Sequence, residues 1–117
     1  MKRASPAAPL AGVRVIDLGQ YIAGPGAAMA LAELGAQVIK IEPLSGDQAR
    51  HIGRYGESMV RAYNRGKQSI ALDLKSAAGR DVALRLIGQS DVVVQNLRPG
   101  AVEKLGLGAS EIRARFP

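Results

Sequence analysis

The chain has no cysteine, no tryptophan and a single histidine among its 117 residues. Without cysteine it cannot form disulfides, thiolate zinc sites or a cysteine nucleophile. The lone histidine, His51, argues against a metal site built from several imidazoles. No hydrophobic run approaches the roughly 20 residues of a membrane-spanning helix, and Arg14 and Asp17 interrupt the stretch where a secretory signal would be apolar. We therefore expect a soluble, cytoplasmic protein with no metal and no membrane contact.

Aromatic residues are also scarce, at 3% of the chain. RNA-recognition sheets and OB folds bind bases on aromatic stacking platforms, which four aromatic side chains hardly supply. The formal net charge is +6, but the lysines and arginines are spread along the chain rather than gathered in a tract. The composition argues against a nucleic-acid partner and favours a ligand with a few phosphates, such as a nucleotide-containing cofactor.

The first half of the sequence is typical of a β-α-β unit. Residues 1–9 are polar and rich in proline and alanine, and we expect them to form a flexible N-terminus. Two β-branched segments, residues 13–18 and 37–42, read as strands, and residues 27–34 between them read as a helix that ends at Gly35. A crossover of this length implies that the two strands are parallel.

The second half continues the same pattern after an excursion at residues 43–56 that is rich in glycine and charge. We expect a short helix at 58–63 and a strand at 69–74. A helix at 77–89 is capped by Ser76, and Val82 and Leu86 share its apolar face with either Ala83 or Ile87. Residues 91–95 read as the most buried strand, and a last helical segment begins near Ser110.

This order of elements predicts an open parallel α/β sheet. Such sheets need helices on both faces, and about 110 residues supply few of them. Residues 10–117 therefore read as a partial domain, truncated at its C-terminal side, from the N-terminal part of a larger protein.

The loop after the first strand, residues 19–26, is the first candidate site. Free N–H groups at the start of the following helix would favour an anion, and ligands bind at the carboxyl ends of the strands in such sheets. Glu42 follows Gly24 by 18 residues, close to the spacing of a ribose-binding acid. The dinucleotide glycine pattern is not met, however, because position 29 is Met. Equally, the glycines here could merely turn the chain.

Other polar residues have a plain structural interpretation beside a functional one. Asp17 reads mainly as a residue near the sheet edge, bonded to backbone or to an arginine. Residues 64–69 are as readily a surface turn, and His51 reads as solvated. The polar segment 96–100 follows the strand predicted to be most buried, which favours function. Neither paired carboxylates nor hydrolase or P-loop motifs are present.

Several sequence blocks together resemble the family III CoA-transferases, which include formyl-CoA transferase, carnitine CoA-transferase and α-methylacyl-CoA racemase. In chain order the blocks read PLAGVRVIDL, IAGP, LGAQVIKIEP, SGD, NRGKQSIALDLK and DVVVQNLRPG. Each block is weak alone, but their order and register across residues 9–117 make the resemblance specific.

The resemblance implies a Rossmann-like large domain, a small domain and a homodimer of two interlocked subunits. It implies CoA transfer between carboxylic acids through an acyl-aspartyl anhydride and an enzyme thioester, with acyl-CoA and a carboxylic acid as substrates and no metal. In the racemase branch, a histidine and an aspartate would instead exchange the proton α to the thioester. In either branch the catalytic residues would lie beyond Pro117, so this chain alone is expected to be inactive.

The resemblance also implies which residues contact CoA. The thioester end would be lined by Ile22 and Ala23, and the adenine and its phosphates would be surrounded by Leu72, Asp73, Leu74 and Lys75. The pantetheine and phosphate region would be contacted by Asn96, Leu97 and Arg98, and a phosphate would be bound by Lys104. Two positions depart from the family pattern: Pro43 replaces a nucleotide-binding arginine, and Ile22 replaces the glutamine of formyl-CoA transferase. The acyl group therefore stays open.

Three alternatives to the transferase stay open. The racemase of the same family is the nearest, and a stand-alone module that binds CoA or a nucleotide is the second. The third, against which the composition argues, is a nucleic-acid binder. For the transferase, we expect residues 1–117 on their own to bind CoA weakly or not at all.

Overall fold

Four parallel strands form a single sheet in the computed structural model, which describes residues 7–117. Residues 1–6, most of the predicted flexible N-terminus, therefore lie outside the described residues. The strands are β1 (Arg14–Asp17), β2 (Gln37–Glu42), β3 (Gln68–Ala71) and β4 (Val92–Val94). Their order across the sheet is β3-β2-β1-β4, and every pairing is parallel. The predicted open parallel α/β sheet is confirmed.

Within residues 7–117, five α-helices and two short 3₁₀ helices connect and follow the strands. The α-helices are α1 (Ala23–Glu33), α2 (Gly56–Tyr63), α3 (Ala77–Ile87), α4 (Ala101–Lys104) and α5 (Ala109–Arg115). The 3₁₀ helices, Gln48–His51 and Gly53–Tyr55, lie in the predicted excursion between β2 and α2. Helix α1 begins four residues earlier than predicted, so Pro25 lies in its first turn. No helix within residues 7–117 has the length and apolar character to cross a membrane.

Helices cover both faces of the sheet, and successive residues of β1 contact opposite faces. On one face Val15 packs with Ala28 of α1 and Val38 of β2. On the other face Ile16 packs with Ala83 and Ile87 of α3. Ala83 and Ile87, which were predicted as alternatives on the apolar face of α3, are both buried, whereas Val82 and Leu86 are only half-buried.

The strand order corrects two predictions about burial. The segment predicted as the most buried strand forms β4, which lies at one edge of the sheet in residues 7–117, and Val92 is 38% exposed. The most buried strand is instead β1, which lies between β2 and β4. Asp17 therefore lies in an inner strand rather than near the sheet edge, and it is fully buried. A strand's burial depends on its neighbours across the sheet, which its own composition does not reveal.

The same order creates a topological switch point between β1 and β4. From β1 the chain runs outward to β2 and β3 on one side, and it returns to place β4 on the other side. Connections on the two sides of such a point diverge, and a crevice is left beyond the carboxyl ends of the two strands. The fold therefore predicts a binding site where residues 18–22 and 95–98 meet.

Candidate functional site

A cavity of about 440 Å³ lies at the carboxyl ends of β1, β2 and β3. Five of the residues predicted to contact CoA line it: Leu72, Asp73, Leu74, Lys75 and Leu97. The wall is mostly aliphatic, while Asp73 and Lys75 are exposed at its surface. The remaining lining residues are Leu18, Gln20, Ile41, Pro43, Leu44, Ser45, Val102, Leu105 and Leu107. An apolar wall with a charged rim suits a ligand that is partly aromatic and partly ionic.

The turn that carries four of these residues is held by local hydrogen bonds. Strand β3 ends at Ala71, three residues earlier than predicted, although the amide of Leu72 still donates to the Glu42 carbonyl at 2.9 Å. The Asp73 carboxylate accepts from the Lys75 amide at 3.0 Å, and the Asp73 carbonyl accepts from the Ser76 hydroxyl at 2.8 Å. Ser76 then caps α3 as predicted. These bonds set the path of the turn along the cavity.

A second cavity, of about 460 Å³, lies at the switch point. It is lined by residues that follow β1 and β4 and by one residue of the excursion: Gln20, Tyr21, Gln48, Asn96, Leu97, Arg98 and Ala101. Gln20 and Leu97 line both cavities, so the two adjoin. The structure thus brings the predicted segment 96–98 next to the predicted segment 72–75, around one continuous surface.

Three of the predicted residues lie outside both cavities. Ile22 and Ala23 follow the second-cavity residue Tyr21 directly, at the start of α1, and both are exposed. Lys104 is exposed on α4, and its neighbours Val102 and Leu105 rather than Lys104 itself line the first cavity.

The glycines of the loop after β1 allow close approach rather than a turn. A Cβ on Gly24 would lie 2.6 Å from the Asn96 side-chain oxygen, and one on Gly19 would lie 2.9 Å from Pro25. Neither glycine is among the residues with a positive φ. In this loop it is Tyr21 that has a positive φ, of 64°. The expectation that these glycines merely turn the chain is therefore wrong, because they let the loop lie against Asn96 and α1.

Beneath this loop lies a buried network of two aspartates and two lysines. The Asp17 carboxylate accepts from the Lys67 ammonium at 2.8 Å and from the Gly19 amide at 2.7 Å. The Lys40 ammonium lies 2.8 Å from the Asp47 carboxylate and 3.8 Å from that of Asp17. All four side chains are at most 2% exposed. Asp17 therefore binds backbone, as predicted, but its cationic partners are lysines rather than an arginine.

Lys67 shows that residues 64–69 are more than a surface turn. Its ammonium donates to Asp17, to the Pro25 carbonyl and to the Asn64 side-chain oxygen, each at 2.8 Å. These three acceptors match the three N–H donors of an ammonium. Burial nevertheless lowers the pKa of Lys67 below its ordinary value, against the opposing effect of Asp17.

The excursion after β2 is tied to the sheet by two acids. Glu42 accepts from Arg50 at 2.8 and 3.1 Å and from the Asp47 amide at 3.1 Å. Burial by itself raises the pKa of Glu42, but these donors outweigh it and the pKa lies below its ordinary value. The pKa of Asp47 is likewise lowered, because Lys40 and the amides of Ala49 and Tyr21 outweigh burial. Glu42 is thus engaged with Arg50 rather than free to bind a ribose.

Sequence reasoning missed Lys40, Asp47 and Gln48 as parts of the site. Lys40 had a detectable signal, since a charged residue between Ile39 and Ile41 in a predicted inner strand needs a buried partner. Register strengthens that signal, because Lys40 lies directly beside Asp17 on the neighbouring strand. Gln48 carried no such signal. Among residues 7–117, no group of three histidine or acidic side chains could hold a metal ion.

Comparison with known proteins decides the family. The family model of CoA-transferase family III matches residues 10–117. The chain belongs to CoA-transferase family III. Its relatives include the probable fatty acyl-CoA transferase Rv3272 of Mycobacterium tuberculosis, 43% identical over all of this chain and 31% of that protein. The alpha subunit of succinyl-CoA–L-malate CoA-transferase from Chloroflexus aurantiacus is 40% identical over 93% of this chain and 27% of its own length.

Solved structures of the family share the fold. A CaiB/BaiF family protein from Brucella suis superposes with a TM-score of 0.88 and 37% identity, over 95% of this chain and 32% of that one. This family III chain thus has the Rossmann-like α/β fold that the resemblance implied. It spans less than a third of the length of each of these relatives.

Proposed function

We propose that this chain forms the CoA-binding part of an enzyme that transfers CoA from one carboxylic acid to another. The observation that carries the proposal is the pair of adjoining cavities at the carboxyl edge of the sheet. They gather Leu72, Asp73, Leu74 and Lys75 on one side and Asn96, Leu97 and Arg98 on the other. Membership of a CoA-transferase family supports the same ligand.

CoA is a long molecule with a nucleotide at one end and a thiol at the other, and two adjoining cavities suit that shape. In the proposal, the adenine lies against the aliphatic wall formed by Leu72 and Leu74, and Lys75 and Arg98 bind phosphates at the rim. The pantetheine then passes Leu97, which lines both cavities. The thioester end reaches the second cavity beside Tyr21, where Ile22 and Ala23 start α1.

The reaction we propose starts when a carboxylate attacks the thioester carbonyl and CoA leaves as the thiolate. The CoA thiolate then attacks the aspartyl carbonyl of the acyl-aspartyl anhydride, which releases the first acid and leaves an enzyme thioester. The second acid attacks that thioester to form a second anhydride, and the freed thiolate attacks its acyl carbonyl to give the new acyl-CoA and the free aspartate. In the proposal, as the resemblance implies, the nucleophile comes from beyond residue 117; none of the described residues that line the second cavity is a carboxylate. Backbone N–H groups near the thioester would stabilise the oxyanion. The proposal also includes an interlocked homodimer, a cytoplasmic location and no metal.

The proposal is tested by removing the two cations from the full-length protein that contains this chain. We expect Lys75→Met and Arg98→Met each to raise the Kd for CoA about tenfold, which corresponds to about 1.4 kcal/mol. The two variants should change the Kd for pantetheine, which has no phosphate, much less. Arg61→Met is the matched control, because Arg61 is exposed on α2 and pairs with Glu57, away from both cavities. Calorimetric titration gives all the constants, and unchanged values in both cavity variants would contradict the placement of CoA.

The reaction product distinguishes a transferase from a racemase. We expect the full-length protein to exchange CoA between an acyl-CoA donor and a dicarboxylate acceptor, detected by mass spectrometry over a panel of both. Deuterium uptake at the carbon α to the thioester, without exchange of CoA, would identify the racemase instead.

A further inference from the structure

Side chains from distant parts of the chain hold the backbone of residues 19–21 on both sides. The Lys40 ammonium donates to the Gly19 carbonyl at 2.7 Å. The side-chain oxygen of Asn96 accepts from the backbone N–H of Gln20 at 2.9 Å, and the side-chain nitrogen of Asn96 donates to the backbone carbonyl of Gln20 at 3.0 Å. The Asp47 carboxylate accepts from the Tyr21 amide at 3.1 Å. Three consecutive residues of a loop are therefore fixed without any strand or helix pairing.

The loop is held in a conformation that it would not keep alone. Tyr21 has φ 64°, and among the described residues it is the one non-glycine with a positive φ. Such a backbone persists where its surroundings determine it, and it is found mostly at functional sites. The Tyr21 hydroxyl also donates to the side-chain oxygen of Gln48, the residue that follows Asp47, at 2.6 Å.

Stability alone is a weak reason for the buried charges beneath this loop. Lys40 and Asp47 are 2% and 0% exposed, and both lose their hydration on folding. Apolar side chains of similar volume commonly replace such pairs with no loss of stability. What apolar side chains cannot do is donate to the Gly19 carbonyl and accept from the Tyr21 amide.

We propose that Lys40 and Asp47 are positioning residues that hold the 19–21 loop, and thereby the start of α1, in the geometry that orients the thioester. The inference rests on the proposed function, because the thioester end of CoA is placed beside this loop by that proposal. Lys40 acts from β2 and Asp47 from the excursion, and neither lines a cavity. Their effect therefore reaches the substrate only through the loop backbone.

The test uses the double variant Lys40→Met/Asp47→Leu in the full-length protein, because an asparagine at position 47 would still accept from the Tyr21 amide through its side-chain oxygen. This variant keeps the buried charge balanced, because Asp17 retains its bond to Lys67. We expect kcat for CoA exchange to fall about 10- to 100-fold. The Kd for CoA should stay within about twofold, since the nucleotide cavity is untouched. Hydrogen exchange at the Tyr21 amide should accelerate at least about tenfold relative to the amides of β1.

Two further variants keep the test decisive. Asn96→Ala removes both bonds to the Gln20 backbone at an exposed position, so hydrogen exchange at Tyr21 in this variant tests the same loop if the double variant fails to fold. Its kcat does not enter the test, because Asn96 also lines the second cavity. Gln37→Ala is the control, because its side chain bonds Arg14 and Gln68 at the opposite end of the sheet. A merely structural role would lower the melting temperature and leave kcat of the folded protein unchanged.

The outcomes separate this inference from the proposed function. A wild-type enzyme that binds and transfers CoA, with unchanged kcat in the double variant and unchanged Tyr21 exchange in both variants, overturns the positioning role alone. A wild-type protein that neither binds nor transfers CoA overturns the proposed function together with the orienting part of this inference. In that case accelerated Tyr21 exchange still supports the holding of the loop, and unchanged exchange refutes it.

Discussion

Gly79, near the start of α3, packs against the turn that lines the first cavity. A Cβ at this position would overlap the carbonyl oxygen of Asp73, which is backbone and has little room to move. Gly79→Ala should therefore destabilise the fold by about 1–3 kcal/mol, although alanine is the better helix former. It should also weaken CoA binding, because Asp73 belongs to the cavity wall. Chemical denaturation and a CoA titration measure the two effects.

Gly26→Ala in α1 is the matched control. Its Cβ would meet Tyr63 at 3.5 Å, an ordinary van der Waals distance, and its φ is not positive. We expect this variant to be neutral or to gain up to about 1 kcal/mol of stability. If both glycine variants were equally stable, the close approach of α3 to the turn at Asp73 would be refuted.

Single residues differ in how well the sequence predicts them. The resemblance placed Leu72 and Arg98 in the site, because they lie in blocks that are typical of the family. Lys40 and Asp47 were missed, since their partners lie 21 and 26 residues away at Gly19 and Tyr21. Local patterns reveal which face of a strand a residue occupies, but they do not reveal which loop lies over that face.

Among the elements, the excursion between β2 and α2 should be the most sensitive to acid. Its ties to the sheet run through the carboxylates of Glu42 and Asp47, whose pKa values lie below the ordinary 4.5 and 3.8. A lowered pKa means that the folded state favours the charged form. The stability that these carboxylates contribute is therefore complete above their ordinary values and is lost as the pH falls through the lowered ones.

We therefore expect residues 43–55 to open as the pH falls below the ordinary carboxyl pKa values of 4.5 and 3.8, before the sheet unfolds. Hydrogen exchange between pH 7 and pH 3 should show protection lost first at Ala49, while Ile16 in β1 stays protected. Glu42→Gln should weaken the protection of Ala49 at neutral pH and flatten its dependence on acid. Simultaneous loss of protection at Ala49 and Ile16 in the wild type would contradict this order.

The elements themselves were largely predictable, whereas their arrangement was not. All four strands were predicted from their own sequence segments, and Ser76 indicated the start of α3. Strand order depends on contacts between segments far apart in sequence, such as Val15 with Val92. That is why β4 was expected to be the most buried strand and lies at an edge instead.

At the scale of the whole molecule, the two cations proposed to bind the phosphates of CoA are exposed, so salt screens their charge. Lys75 and Arg98 are both exposed, and the formal net charge is +6. We expect CoA binding to the full-length protein to weaken steadily as NaCl rises from 50 to 500 mM, since exposed charges interact weakly beyond about 10 Å at 0.1 M salt. An oligonucleotide of the same total charge should bind less tightly at every salt concentration.

The 117-residue chain expressed alone should bind CoA with a Kd weaker than micromolar. It spans less than a third of its family III relatives, and its cavities have an open, exposed rim at Asp73, Lys75 and Arg98. Binding must compensate for the lost freedom of a long, flexible ligand, and a wall on one side buries too little of it to do so tightly. Titration of the isolated chain beside the full-length protein, in one buffer, measures the difference. A submicromolar Kd for the isolated chain would mean that residues 1–117 form a complete CoA-binding module, and the proposed dependence on further segments would be wrong.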